Sequence, residues 1–441
     1  MSPTTRLASV LSMLALVLLA ACGTDTSGGT SGAGSGKGTI KIWSHQGQAG
    51  EVSSLQKAVA DFNSSQSDIK ATLQFVPEAD YTKTVQATNP SALPDVLEFD
   101  GPYLQNFVRA KKLGPIDGLV SSATVDNQIS SVVAQDTANG KLYAVAMFDS
   151  GLGMYGNKKI LDDAGVKYPT TVADAWTIDQ FQAAMDKLAP KTPGGKPLDV
   201  KENALTAGGE WPSYAFLPLV YSAGSSVIKD GKSVGNLDSD KTISAIKTFD
   251  SWKKWVNPNT ADDSFVNGKA AVSWVGHWVY PAYSKALGSN LVVMPLPDFG
   301  NGTKTGQGSW AWGINPSSSN GKAAGKFLDF LMNDANIGAM TGANGAVPGT
   351  KTTVAKSDLY KPGGPLALFA AQLDKSCGTK AATKDCVAVP RPLTAGYPEV
   401  SRQFSAAFIA AYNGSDARTE LNKAAKTIDL DFKDNNGYTI P

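Results

Sequence analysis

The stretch that decides the fold is residues 39–62, TIKIWSHQGQAGEVSSLQKAVADF. Its first five residues alternate between polar and apolar side chains, a pattern typical of a half-buried β-strand. After a polar turn, apolar residues recur at the spacing of an amphipathic helix; they are Val52, Leu55, Val59 and Phe62. The chain therefore opens with a strand and then a helix, the unit from which parallel sheets are built.

The same alternation of strands and helices continues along the chain. Apolar patterns predict further strands at residues 69–75, 96–99 and 143–148. Helical spacing of apolar residues recurs between and beyond them, which predicts an α/β protein whose sheets are covered by helices. Because ligands in such sheets bind beyond the carboxyl ends of strands, the loops after Trp43, Phe99 and Phe148 are candidate ligand loops.

The first 38 residues resemble a secretion signal followed by a tether. Arg6 precedes an apolar stretch, Leu7 to Ala21, that at about 1.5 Å per residue is too short to cross a hydrocarbon core of about 30 Å. Its Leu-Ala-Ala-Cys ending resembles a bacterial lipobox, which implies that Cys22 carries a lipid. We expect a signal peptide with lipobox at residues 1–21 and a Gly/Ser-rich tether at 22–38. An ordinary signal peptide with a chance cysteine is the alternative.

Composition indicates a large and nearly neutral body after the tether. About 400 residues are too many for one hydrophobic core, so two lobes are expected. The full chain has 40 Lys and Arg against 39 Asp and Glu, so no basic field exists to attract nucleic acid. Cys377 and Cys386 lie in a polar, lysine-rich segment, and in an oxidising compartment such a pair favours a local disulfide.

The usual signals of catalysis or metal binding are weak in this sequence. The two histidines, His45 and His277, belong to no His-x-x-x-His pair, and no Cys-x-x-Cys pair exists, so neither a metal nor another cofactor is expected. Residues 151–156, GLGMYG, match a dinucleotide fingerprint, but their apolar alternation indicates a strand. A secreted carbohydrate-active hydrolase, with two carboxylates facing across a cleft, is the alternative function of another class.

The tryptophans and their surroundings are the unusual feature of this sequence. Several of the nine tryptophans lie in polar or Gly-rich surroundings. An indole ring offers a flat apolar face and one N–H donor, which suits the C–H face of a sugar ring, and charged side chains can bind the hydroxyls around its edge. Core packing is the competing interpretation for each ring, and Trp252 and Trp255, beside a helical stripe, are predicted to be core.

Five segments in order carry a family resemblance. They are residues 39–45, TIKIWSH; 93–102, LPDVLEFDGP; 155–158, YGNK; 265–278, FVNGKAAVSWVGHW; and 390–398, PRPLTAGYP. Together they resemble the extracellular solute-binding lipoproteins of ABC importers, in the sugar-binding group that includes maltose-binding protein. Gly156, Val272 and Ala395 depart from the family's usual residues, which are an aromatic or polar residue, Met and Pro.

The resemblance implies a two-lobed, periplasmic-binding-protein-like fold of type II, with mixed central sheets and hinge-connected lobes. Its N-lobe is expected at residues 39–148 plus 294–334 and its C-lobe at residues 149–293 plus 335–441. The chain is expected to cross between lobes near residues 147–149, 292–295 and 331–334.

The resemblance also implies a function without catalysis. The protein would be the substrate-binding component of an ABC importer, capturing a sugar or oligosaccharide outside the membrane and delivering it to the permease by hinge closure. Its partners would be the sugar, the permease subunits and, through Cys22, the outer face of the cell membrane; a monomer without nucleic acid is expected. A phosphorylated polyol is an alternative ligand, which would need the positive charges of Arg391 and a protonated His277.

The candidate ligand-binding residues come from the ligand loops, the aromatic clusters and the resembling segments. They are Trp43, His45, Gln46, Asp100, Asp149, Trp211, Tyr214, Trp278, Trp310 and Arg391. The sugar is expected to stack on Trp278 and Trp310, with Asp100 accepting hydrogen bonds from its hydroxyls and Arg391 donating to its oxygens.

Overall fold

The opening strand–helix unit is present as predicted. The computed structural model describes residues 34–261 and 263–440, so the signal peptide and Cys22 lie outside the described residues. The strand Gly38–Gln46 leads into the helix Ala49–Ser65. The spacing of Leu55, Val59 and Phe62 puts them on one face of this helix, and all three are buried.

The first sheet has five strands and is parallel at one side. In spatial order its strands are Ile69–Pro77, Gly38–Gln46, Val96–Asp100, Trp310–Ile314 and Ala144–Val145. The first three are parallel to one another, whereas Trp310–Ile314 is antiparallel to both of its neighbours. Every residue of Val96–Asp100 is buried, and the adjacent residues Val96 and Leu97 of this strand pack in different apolar clusters. Apolar clusters thus pack on both faces of this strand, although Glu98 and Asp100 interrupt its apolar run.

The second sheet has four strands and is mixed. Its strands in order are Leu291–Met294, Leu152–Asn157, Val272–Gly276 and Leu198–Asp199. The prediction that residues 151–156 are strand rather than a phosphate-binding turn is confirmed, because Leu152–Asn157 is the sheet's second strand. Trp252 and Trp255 are both buried in the core of this region, as predicted.

Short strand pairs join the two sheets. Phe148–Asp149 pairs with Val347–Pro348, and Thr305–Gln307 pairs with Ala388–Pro390. The segment 143–148, predicted as one strand, forms two: Ala144–Val145 pairs in the first sheet, and Phe148–Asp149 pairs outside it. The break arises because this segment leaves one sheet for the other and changes its hydrogen-bonding partner on the way.

Helices cover both sheets. The longer ones are Ala49–Ser65, Glu78–Ala87, Ile178–Leu188, Trp211–Ser222, Asp240–Ser251, Tyr280–Leu287, Gly321–Leu331, Asp334–Asn344, Tyr397–Tyr412 and Ala417–Asp434. Shorter helices are Leu104–Arg109, Ser122–Asn127, Ser130–Gln135, Lys158–Asp163, Glu202–Ala207, Lys351–Lys356 and Ala367–Leu373. Among the described residues, no helix has the length and apolar character needed to span a bilayer.

Candidate ligand-binding site

Arg391 joins three distant parts of the chain. Its Nη1 and Nη2 donate to Oδ2 and Oδ1 of Asp100 at 2.7 and 2.6 Å, and Nη1 also donates to Oε1 of Glu210 at 2.7 Å. Asp100 ends a strand of the first sheet, Glu210 immediately precedes the helix Trp211–Ser222, and Arg391 follows the strand Ala388–Pro390. The carboxyl end of a strand and the loop after a strand thus meet, as expected for a ligand site in an α/β fold.

Two carboxylates share one guanidinium in this group. Only 4% of the Arg391 side chain is exposed, and burial raises the pKa of Glu210. Burial alone would lower the pKa of Arg391, but the neighbouring acidic groups, Asp100 first among them, together outweigh it and the pKa is raised. The Nε–H of Arg391 is buried and has no hydrogen-bond partner within the protein, so this donor is available to an acceptor on a bound molecule.

An aromatic wall lies beside the charged group. The guanidinium of Arg391 lies over the ring of Tyr214, 4.7 Å from its centroid. The ring of Trp278 lies 6.2 Å from Tyr214 and 6.1 Å from Trp211, edge-on to the latter. Trp211 and Trp278 are only partly buried, so each keeps ring surface for a ligand. Gln48, after the first strand, donates to the carbonyl of Trp278 at 3.1 Å and so connects this wall to the first sheet.

A second group surrounds His45 at the end of the first strand. Its imidazole stacks on Trp310 with ring centroids 3.8 Å apart, and Nδ1 bonds to Oε2 of Glu98 at 2.8 Å. Burial lowers the pKa of His45, but the carboxylates of Glu98, Glu51 and Glu78 together more than offset it, and the pKa is raised to about 8. Trp310 is also the cross-strand partner of Asp100, so the two groups are adjacent.

His277 and Asp149 lie deep between the sheets. The Nδ1 of His277 bonds to the carbonyl of Asn344 at 2.9 Å, and its Nε2 bonds to the Ser150 hydroxyl at 2.6 Å. Burial lowers the pKa of His277 to about 4, so the ring is neutral at pH 7. Asp149 is 1% exposed, and its carboxylate accepts from the Ser150 N–H at 2.8 Å and from Gln307 at 3.3 Å. Burial raises the pKa of Asp149.

The geometry can bind a polar molecule with apolar faces. No group of three or more His, Cys, Asp or Glu that could hold a metal occurs within residues 34–261 and 263–440.

A family model described as bacterial extracellular solute-binding protein matches residues 47–337. The chain belongs to the bacterial extracellular solute-binding proteins.

Relatives of this solute-binding protein are known in sequence and in structure. It is 28% identical over 343 residues to the maltooligosaccharide ABC transporter solute-binding lipoprotein of Streptococcus pneumoniae R6, across 72% of this chain and 74% of that one. It is 26% identical over 358 residues to the diacetylchitobiose binding protein DasA of Streptomyces coelicolor, across 76% and 79%.

The fold is shared with a solved structure. An ABC transporter solute binding protein from Thermotoga lettingae, bound with alpha-D-tagatose, superposes with a TM-score of 0.73 at 20% identity, over 89% of this chain and 99% of that chain. The likeness confirms the predicted α/β, periplasmic-binding-protein-like fold of type II.

The solute-binding protein brings most of the candidate residues together. Asp100, Arg391, Tyr214, Trp211 and Trp278 form one group, which His45 and Trp310 adjoin. The other candidates have different surroundings. Trp43 is half-buried with its carbonyl accepting from Tyr81, Gln46 is exposed at the end of its strand, and Asp149 is enclosed by protein donors.

Sequence reasoning missed Glu210 and Tyr397. Glu210 binds Arg391, and the hydroxyl of Tyr397 donates to the same Glu210 oxygen. Tyr397 lies in the PRPLTAGYP segment, and Glu210 directly precedes Trp211-Pro212 at a helix start. An acid beside an aromatic residue and a helix-starting proline was the available signal, although nothing in the sequence shows that it faces Arg391.

Proposed function

We propose that this protein captures a neutral sugar or oligosaccharide outside the membrane and delivers it to the permease of an ABC importer. The observation that carries the proposal is the Arg391 group, in which a charged hydrogen-bonding set from three distant parts of the chain adjoins partly exposed tryptophans. The relatives named above are a maltooligosaccharide transporter's solute-binding lipoprotein and a diacetylchitobiose binding protein, which supports the same ligand class here.

The chemistry of the site matches a sugar. Ring faces of Trp278 and Trp211 can stack on the C–H face of a pyranose, while Asp100 and Glu210 can accept from hydroxyls and the Nε–H of Arg391 can donate to an oxygen. Each ligand hydroxyl would then exchange a bond to water for a charge-assisted bond inside the cleft.

A phosphorylated polyol fits less well. A phosphate needs concentrated positive charge, but His277 is neutral at pH 7 because burial lowers its pKa to about 4. Arg391, the other cation considered, is already neutralised by Asp100 and Glu210. A neutral sugar is therefore the better ligand.

Binding would couple to hinge closure between two lobes. We place one lobe around each sheet, close to the boundaries 39–148 plus 294–334 and 149–293 plus 335–441. Sheet connectivity supports crossings at the paired segments Phe148–Asp149, Thr305–Gln307 and Val347–Pro348. Because Ile337 and Met340 pack in the first sheet's core, we assign the helix Asp334–Asn344 to the N-lobe. Ligand contacts from both lobes would favour the closed form.

Lipid on Cys22 would keep the protein at the outer face of the membrane, as a monomer that presents its ligand to the permease. The Leu-Ala-Ala-Cys ending and the tether support this part of the proposal. Mass spectrometry of the N-terminal peptide from membrane-extracted protein tests it. We expect a lipidated Cys22 and its loss in Cys22→Ala; an unmodified Cys22 would contradict the anchor.

A thermal-shift screen tests the ligand class. The panel is maltose, maltotriose, N,N′-diacetylchitobiose and tagatose, followed by calorimetric titration of any sugar that raises the melting temperature. A ligand present at 100 times its Kd stabilises a protein by about 2.7 kcal/mol, which such a screen detects. A panel without any shift would count against sugar binding.

The same sugars distinguish a binding protein from a hydrolase. Family membership supports binding without chemistry. We expect maltotriose to be recovered intact after prolonged incubation with the protein, whereas glucose or maltose among the products would favour the hydrolase.

A further inference from the structure

The segment that carries Arg391 into the site begins at a disulfide. In the structure, Cys377 and Cys386 are joined by a disulfide. The strand Ala388–Pro390 starts two residues after Cys386 and ends immediately before Arg391. The cross-link and the guanidinium are therefore the two ends of one short piece of chain.

This piece of chain is held on two sides. On the disulfide side, the Val387 N–H donates to the Lys375 carbonyl at 2.7 Å, and the Cys377 N–H donates to the Ala388 carbonyl at 2.8 Å. On the other side, Ala388–Pro390 runs parallel to Thr305–Gln307, one of the segments that join the two sheets. The strand before Arg391 thus lies between the cross-linked loop and a crossing segment.

A side-chain relay extends the same connection into the hinge region. The Ser376 hydroxyl, next to Cys377, donates to Oε1 of Gln307, and Nε2 of Gln307 donates to the buried carboxylate of Asp149 at 3.3 Å. Ser376, beside the disulfide, therefore contacts one crossing segment directly and is linked through Gln307 to a second one at Asp149.

We propose that the Cys377–Cys386 disulfide is a positioning element of the binding site, which holds Ala388–Pro390 against Thr305–Gln307 and so keeps Arg391 on Asp100 and Glu210. The inference rests on the proposed function. Ala388–Pro390 has only three residues, so its pairing with Thr305–Gln307 supplies few hydrogen bonds. Much of the loop between the cysteines is exposed and packs little, so the covalent link is what limits its freedom.

Calorimetric titration of the full chain with maltotriose and with N,N′-diacetylchitobiose tests the proposal. The variant is Cys377→Ala/Cys386→Ala, and the matched control is Lys380→Ala, an exposed substitution in the same loop that keeps both cysteines. Coupling between groups in one network suggests an affinity loss of about 2- to 150-fold for the double variant. The control should bind like the wild type.

A double-mutant cycle separates positioning from general stabilisation. The Arg391→Lys background lacks the planar guanidinium that the disulfide would position. Removing the disulfide in that background should therefore cost little further affinity. An equal loss in both backgrounds would show that the disulfide acts independently of Arg391 and would overturn the proposal. Melting curves report the separate effect on stability.

Reduction of the folded wild type covers the case in which the double variant fails to fold. Affinity should fall after reduction and return on reoxidation, and intact mass should show two alkylatable thiols only after reduction. Free thiols in the native protein, or unchanged affinity after complete reduction, would overturn the inference and leave sugar binding intact. A wild type that binds neither sugar nor any other of the screening panel would remove the proposed function and this inference with it.

Discussion

Arg391 binds the carboxylate of Asp100 through two parallel hydrogen bonds of 2.7 and 2.6 Å, although the two residues are 291 positions apart in the sequence. The carboxylate ends a strand of the first sheet, and the guanidinium follows a strand that pairs with a crossing segment. Such a fork needs a planar guanidinium, because an ammonium group cannot present two parallel donors. The pair is therefore a geometric connection between distant elements and not only an electrostatic one.

Arg391→Lys and Asp100→Asn should each weaken sugar binding. Losing one charged partner of a buried hydrogen bond costs about 1.5–3 kcal/mol, or about 10- to 150-fold in affinity. Calorimetric titration alongside melting curves measures both affinity and stability. Arg402→Lys is the control, since Arg402 pairs with Glu399 on an exposed surface. Wild-type affinity in both Arg391 and Asp100 variants would show that the ligand binds elsewhere.

Trp278→Ala should lower affinity more than it lowers stability. Loss of a stacking ring costs about 0.5–1.5 kcal/mol in addition to the apolar area that is no longer buried, or about 2- to 12-fold in affinity. Trp255→Phe, in the core, is the matched control and should lower the melting temperature with affinity unchanged. Sugar should change tryptophan fluorescence in the wild type and less in Trp278→Ala. A Trp278 variant that loses stability but keeps affinity would identify this ring as core.

The sequence predicts the sheets better than it predicts the site. Period-two and helical patterns locate Gly38–Gln46 and Ala49–Ser65 because burial imposes those periods directly on the residues. The partner of Arg391 is different, since two segments 181 residues apart meet through the tertiary fold and leave no local pattern. Glu210 was missed for that reason.

Individual tryptophans show the same limit. Trp274 and Trp278 lie in one Gly-containing segment, yet Trp274 is fully buried and Trp278 is only partly buried. Trp274 lies within the strand Val272–Gly276, whereas Trp278 follows the strand in a short turn. Which ring keeps exposed surface depends on where the strand ends, and strand ends are weakly encoded in a sequence of apolar residues.

His45 and His277 should titrate far apart. The chain has two histidines, so proton NMR should show two imidazole C2–H resonances, with midpoints near pH 8 for His45 and near pH 4 for His277. His45→Gln should remove the first and leave the second. Two midpoints close to the ordinary value of 6.5 would contradict the buried environments of both rings.

The raised pKa of His45 also predicts a pH-dependent stability. A folded pKa of about 8 against 6.5 gives a contribution of about 2 kcal/mol that is full below pH 6.5 and is lost as the pH rises through 8. Burial raises the pKa of Asp136 to about 8 as well, so Asp136 titrates in the same window in both proteins. The difference between the wild type and His45→Gln therefore isolates His45. Equal melting-temperature profiles from pH 6 to 9 would contradict this linkage.

Lys112→Met should destabilise the fold because it removes the hydrogen bonds of Lys112 at the end of one helix. The amino group of Lys112, a residue only 6% exposed, donates to the carbonyls of Val85, Gln86 and Thr88 at 2.6, 2.6 and 2.7 Å, where the helix Glu78–Ala87 ends. All three ammonium donors are thus used on carbonyls that the helix cannot satisfy itself. Methionine keeps the apolar stem and removes the donors, so we expect a loss of about 1.5–3 kcal/mol, measured as a lower melting temperature.

Lys111→Met is the matched control for this prediction, because Lys111 is the exposed neighbour and carries the same charge. The helix in question also supports the site, since the Tyr81 hydroxyl on it donates to the carbonyls of Trp43 and Glu98 at 3.1 and 2.6 Å. Lys112→Met should therefore weaken sugar binding slightly as well, whereas Lys111→Met should change neither property. Equal melting temperatures for the two variants would show that the three carbonyls are satisfied without Lys112.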